Sequence, residues 1–306
     1  SITASNKNVT FDGAGNITVV DPIATGSGTL TKSGSGTLTL SGANTYTGAS
    51  TISDGVLIAT NATSLGTTDG ATTIANGAVL QISGGINIGD AINLTGTGQA
   101  LAGGIRSTSG DNTLSGLITL GGTSEIASDA NTLTLDVSTG AALTGTNRTI
   151  KFDGAGNITV NNPITTGSGV VNKGGAGTLT LSGDNTYTGA TTVNVGVLAI
   201  THADALGGTS GATTVANNAA LNISGGITTA AEAITISGTG ISDSGVIRNI
   251  SGNNTYSGAI TLGANSEIQS DSGTLTLNVG SGSVIAASNK NLTFDGAGNV
   301  TVADRI

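Results

Sequence analysis

The chain has 306 residues with no Cys, Met or Trp and only three Phe and three Tyr, so it lacks the bulky side chains from which a thick globular core is built. Nine Lys and Arg against 18 Asp and Glu give a net charge of −9, which excludes the basic surface that nucleic acid or anionic lipid would need. The absence of cysteine excludes a disulfide scaffold and any thiolate metal site.

No run of roughly 18 apolar residues occurs, so no membrane insertion of this segment as a helix is expected. A chain that begins at Ser1 without a signal peptide reads as a fragment or processed piece. Charged residues make up only 9% of it, the opposite of a disordered, highly charged chain.

In chain order, the segments Ile17-Thr18-Val19, Thr37-Leu38-Thr39-Leu40 and Leu133-Thr134-Leu135 alternate apolar and polar residues and are predicted as strands. Between strands, glycine clusters such as Ser33-Gly34-Ser35-Gly36 and Gly174-Gly175-Ala176-Gly177 supply turns. The only prolines, Pro22 and Pro163, occupy equivalent places, where a corner without ladder hydrogen bonds is predicted.

The string Phe-Asp-Gly-Ala-Gly-Asn begins at Phe11, Phe152 and Phe294, giving spacings of 141 and 142. This predicts one continuous solenoid over residues 1–306, with repeat units 1–141 and 142–283 and a partial third unit 284–306. The extra residue of the second unit lies between Ile227 and Glu232, where a loop is predicted. A finer period appears in the Asn-Thr strings at Asn44, Asn112, Asn185 and Asn254, spaced 68, 73 and 69. These are near multiples of about 23–24 residues, the length of one rung of three short strands in a parallel β-helix. About 13 coils are expected, on the order of 60 Å at about 4.8 Å per coil. A narrow bore filled by Val, Ile, Leu and Ala would leave little room for large rings.

The stretch Gly36-Thr37-Leu38-Thr39-Leu40-Ser41-Gly42-Ala43-Asn44-Thr45-Tyr46-Thr47-Gly48, with Gly55-Val56-Leu57 following, resembles the autotransporter-associated β-strand repeat. The pattern returns from Gly177 to Leu198, and Asn254-Thr255-Tyr256-Ser257-Gly258 resembles the linking coils of such proteins. The resemblance implies a right-handed parallel β-helix, exported and displayed at the cell surface or outside the cell, in adhesion or as a stalk. It implies no catalytic residues and no cofactor.

Candidate chemistry is sparse. His202 is the only histidine, with Asn61 at the equivalent place, and is predicted in a solvated turn. Asp12, Asp153 and Asp295 each precede Gly, and Asp21 stands near Asp12. Paired carboxylates would suit glycan cleavage, but Asp-Gly is explained by turn formation. Calcium held between coils as in some β-rolls would need tandem Gly-Gly-x-Gly-x-Asp repeats, which are absent, leaving weak surface binding as the remaining calcium reading. Phe11, Phe152 and Phe294 recur at one site and Tyr46, Tyr187 and Tyr256 in the Asn-Thr-Tyr string, so packing at corners is expected. The recurring Asn44, Asn112, Asn185 and Asn254 suggest amide ladders along the axis.

The expected function is a structural repeat segment of a long extracellular fibre or giant surface protein, a rigid spacer that can also adhere, without catalysis. The alternatives are a glycan-binding adhesin and a polysaccharide lyase or glycosidase. The expected partners are further copies of its own repeat, in the same chain or end to end, with surface glycans or other cells as a second class.

Overall fold

Alternating sequences give each short strand one face to bury, and glycine corners let the chain turn back beneath itself. The computed structural model describes residues 1–306, apart from the side chain of Leu101. The protein is all-β, with parallel strands stacked as a β-solenoid of about 14 turns. Among the described residues the only helical segment is one 3-10 turn, Gln99–Leu101. The chain divides into two units, Ser1–Ile158 and Thr159–Ile306.

Within the first unit, Val9–Phe11, Leu30–Lys32, Ser50–Ile52, Thr72–Ile74 and Ile92–Gly96 form one parallel ladder. A second runs through Ile17–Val19, Thr37–Leu40, Val56–Ala59, Val79–Ser83 and Ile105–Ser109. In the second unit, Val171–Lys173, Thr191–Val193, Thr213–Val215 and Ile234–Gly238 repeat the first ladder. Thr178–Leu181, Gly196–Ile200, Ala219–Ile223 and Ile247–Asn249 repeat the second. Each unit also holds an 11-residue strand, Ile118–Ser128 or Ile260–Ser270. It pairs at its start with the first ladder and at its end with the second.

Coil length varies more than a single period predicts. Thr37 pairs with Val56 after 19 residues, Val9 with Leu30 after 21, and Ile92 with Ile118 after 26. Ladder hydrogen bonds fix the strands, whereas corners absorb insertions. The extra residue of the second unit falls in such a stretch, where an isolated bridge, Thr228 to Thr255, replaces the strand Asn87–Ile88.

The bore is filled by stacked aliphatic columns. Leu38, Leu57, Leu80, Ile105 and Ile126 follow one another in register and are fully buried, as are Leu179, Leu198, Leu221, Ile247 and Ile268. Burial of each stabilises the fold by about 1.5–3 kcal/mol before entropy is counted. The expectation that large rings are kept out is corrected: Tyr46, Tyr187, Tyr256 and Phe152 are the largest fully buried side chains. Tyr46 and Tyr187 enter at corners where the next coil carries glycine, whereas Phe152 and Tyr256 lie in strands. A Cβ on Gly66 would collide with the Tyr46 ring, and one on Gly207 with that of Tyr187.

Candidate functional site

The recurring positions form polar ties inside the corners. Asn44 is buried; its Oδ1 accepts the Ile23 N–H at 2.9 Å from the coil before, and its Nδ2 donates to the Ser64 carbonyl at 2.6 Å in the coil after. Asn185 does the same between Ile164 and Ala205, at 2.8 and 2.6 Å. One side chain thus replaces two ladder hydrogen bonds where the backbone turns.

Asn112 and Asn254 belong to a different corner. Asn112 Oδ1 accepts from Gly85 and Ile86, and its amide closes the turn through Ser107, Ser109 and Gly110. Asn254 accepts from Ile227 and donates to Asn249 and Ser251. The amide-ladder expectation is therefore corrected at all four positions. Their partners in neighbouring coils are backbone groups, because a corner leaves more unpaired backbone than a stack of amides could satisfy.

The tyrosines sit beside these asparagines. The hydroxyls of Tyr46 and Ser50 share a hydrogen bond of 2.7 Å, and those of Tyr187 and Thr191 one of 2.8 Å. Tyr256 donates to the Glu232 carbonyl at 2.8 Å. Burial pushes all three phenols up. Of the phenylalanines, Phe152 is fully buried, Phe11 half-buried and Phe294 39% exposed on the last coil; each lies in a strand rather than at a corner.

Charged residues buried inside the coils escaped the sequence reading, in three pairs at the repeat offset: Lys32 and Lys173, Asp90 and Glu232, and Glu125 and Glu267. Lys32 is 2% exposed, and its ammonium donates to the carbonyls of Ser33, Gly34 and Asp54. Lys173, at the equivalent position, donates to Gly174, Gly175 and Val195. The second pair is Asp90 and its counterpart Glu232, 142 residues later. Thr72 donates to Asp90 Oδ2 at 3.0 Å and Thr213 to Glu232 Oε1 at 2.6 Å. Burial pushes each carboxyl up to about 7, partly offset by that hydroxyl. The signal available was recurrence of a charge at the same offset in both copies.

The carboxylates weighed for catalysis serve turns. Asp12, Asp153 and Asp295 accept the N–H of Gly13, Gly154 and Gly296 at 2.8, 2.7 and 2.6 Å. Asp21 lies at another corner, its Oδ2 beside the Ser1 ammonium at 2.9 Å. Buried Glu125 is paired with Lys151 at 3.4 Å, and Lys151 also pairs with Asp153. In the second unit, Glu267 faces Thr293 instead of a lysine. Burial, with Asp295 and Asp243 nearby, pushes its carboxyl up.

His202 lies in a partly exposed turn where Nδ1 accepts the Asp204 N–H at 3.1 Å. Asn61 Oδ1 accepts the Thr63 N–H at 3.0 Å in the same way, so the imidazole does the work of an amide oxygen. Among the described residues, Asp184, His202 and Asp204 are the one group whose ligand atoms lie within 4.8 Å of one another. Metal ligation through Nδ1 would have to displace the turn's hydrogen bond.

The family model of the passenger-associated transport repeat matches residues 30–59 and 171–200. Each match covers a Lys tie, an Asn tie and a buried Tyr: Lys32, Asn44 and Tyr46 in the first, and Lys173, Asn185 and Tyr187 in the second. Among curated proteins, the adhesin BmaC autotransporter of Brucella suis biovar 1 is 32% identical over 161 residues, which is 49% of this chain. The chain spans about 5% of the length of that relative. No solved structure matches. The resemblance to an autotransporter passenger repeat region is thus shown.

Proposed function

We propose that this chain, which carries two passenger-associated transport repeats, is a structural segment of the surface-exposed passenger of a large bacterial adhesin-like protein, where it acts as a rigid spacer. The observation that carries the reading is that buried side chains at the corners tie one coil to its neighbour. Lys32, Asn44, Lys173 and Asn185 each reach backbone about 20 residues away, and these contacts join coils rather than form a cleft. A spacer needs such uninterrupted coil-to-coil bonding, because bending must break buried hydrogen bonds. The similarity to an autotransporter adhesin supports a location outside the cell or at its surface. The proposed partners are further copies of the repeat, in the same chain or end to end, with surface glycans or other cells next.

The spacer reading is tested by adding tandem copies of the 141-residue repeat and measuring particle length by electron microscopy. Each copy, at about six coils of about 4.8 Å, should add about 30 Å. Particles that thicken or cluster instead would exclude it. Absence of catalysis is tested by incubation with neutral and acidic polysaccharides, in which reducing ends should not accumulate. Turnover that depends on Asp12 or Asp153 would overturn that part.

A further inference from the structure

Glu125 and Glu267 hold the same place on the long strands Ile118–Ser128 and Ile260–Ser270, and the residues around them differ in one direction. In the first unit the Lys151 ammonium stands between two carboxylates. It reaches Glu125 Oε2 at 3.4 Å in the coil before and pairs with Asp153 Oδ2 on its own strand. In the second unit Glu267 faces Thr293, and Asp295 keeps the place of Asp153. Asp243, which acts on Glu267 from the turn at residues 239–246, stands where the first unit has Leu101 in sequence. Both substitutions remove positive or add negative charge, so two carboxylates with an ammonium become three carboxylates with a hydroxyl.

Each of the three carboxylates keeps one oxygen uncommitted. Asp295 Oδ1 accepts the Gly296 N–H at 2.6 Å, leaving Oδ2, the oxygen through which Asp153 holds the ammonium. Asp243 Oδ1 accepts the Thr239 hydroxyl at 2.6 Å, leaving its Oδ2. Glu267 is 8% exposed and accepts no hydrogen bond. Its Oε1 is buried, so the carboxylate opens to solvent through Oε2, the oxygen that Glu125 turns to Lys151. Burial pushes the Glu267 carboxyl up, and Asp295 and Asp243 add to that. At Glu125 burial acts in the same sense, but Lys151 opposes it. Like charges gathered this closely are costly until a positive charge joins them. The place also faces outward where further coils stack on it. Lys151 is 36% exposed although the strand Val171–Lys173 pairs with its own strand, Ile150–Asp153.

We propose that Glu267, Asp295 and Asp243 bind one calcium ion, which takes the place that the Lys151 ammonium fills in the first unit. Carboxylate and hydroxyl oxygens select a hard cation, and the set offers no nitrogen or sulfur that would favour zinc. The three groups do not bring ligand atoms within 4.8 Å of one another, as mutual repulsion dictates. Asp243 and Asp295 are exposed and can turn toward an ion. That adjustment suits the variable coordination of calcium better than the strict octahedron of magnesium. Bound there, the ion ties the Glu267 strand to the Asp295 strand of the next coil, as Lys151 ties the equivalent strands. The site goes beyond the spacer reading without depending on it, since ion binding and length per repeat are measured separately.

The test is calorimetric titration of the chelator-stripped full chain with calcium chloride, then with magnesium chloride. One calcium ion should bind per chain with a dissociation constant of about 0.1–1 mM, and magnesium about tenfold more weakly or less. Thr293→Lys, which installs the ammonium of the first unit, should weaken calcium binding about tenfold or more. Glu267→Gln keeps the side-chain shape, should weaken binding to the same extent, and serves as the readout if Thr293→Lys disturbs the fold. His202→Asn, at the separate group of Asp184, His202 and Asp204, should leave calcium binding unchanged. No calcium binding, binding unaltered in both Thr293→Lys and Glu267→Gln, or binding lost in His202→Asn would overturn the proposal.

Discussion

Lys32 Nζ donates a hydrogen bond of 3.1 Å to the carbonyl of Asp54, 22 residues further on and in the next coil. It also holds the carbonyls of Ser33 and Gly34 at 2.9 and 2.7 Å, so one ammonium gathers three acceptors from two turns. Lys32→Met removes the donor from three part-buried carbonyls, and should cost about 1–3 kcal/mol of unfolding free energy. Chemical denaturation checks this, with Lys7→Met as an exposed control expected to change stability by less than about 0.5 kcal/mol.

Asn44→Ala should be at least as damaging, because it strands the Ile23 N–H and the Ser64 carbonyl in separate coils. A loss of about 2–4 kcal/mol is expected. Tyr46→Phe, which removes only the bond to Ser50, should cost about 1 kcal/mol.

Asp90 and Glu232 make stability fall as pH rises. Each carboxyl is raised in the fold to about 7 by burial, so the folded state holds protons that the unfolded chain releases near pH 4. Their contribution is complete below about pH 4 and is lost as pH climbs through 7, by at most about 4 kcal/mol for each. Denaturation midpoints measured from pH 5 to pH 9 should therefore decline, and the double variant Asp90→Asn, Glu232→Gln should flatten that decline.

His202→Asn should leave stability within about 0.5 kcal/mol, since Asn61 closes the equivalent turn. The same variant is expected to show no altered response to zinc, because Nδ1 is committed to the Asp204 N–H. A zinc-dependent rise in melting temperature that disappears in His202→Asn would contradict this.

The strands were legible because a half-buried strand writes its geometry as a period of two, as at Thr37–Leu40, and because the repeats gave most strands a second copy. The corners were not. Residue chemistry alone places Lys32, Asp90 and the tyrosine rings outside a narrow bore. Only coordinates show that corner carbonyls cage the ammonium, and that Gly66 and Gly207 make room for Tyr46 and Tyr187.

The stacking of coils is tested most directly by cross-linking, since the chain has no native cysteine. Thr51 and Thr73 are register partners in adjacent coils, and Asn93 follows Thr73 one coil further. Adjacent parallel strands lie about 4.8 Å apart, within disulfide reach, whereas two coils exceed it. Oxidation should join Thr51→Cys with Thr73→Cys within the monomer and leave Thr51→Cys with Asn93→Cys open. Bridging of the second pair and not the first would contradict the coil register on which the account rests.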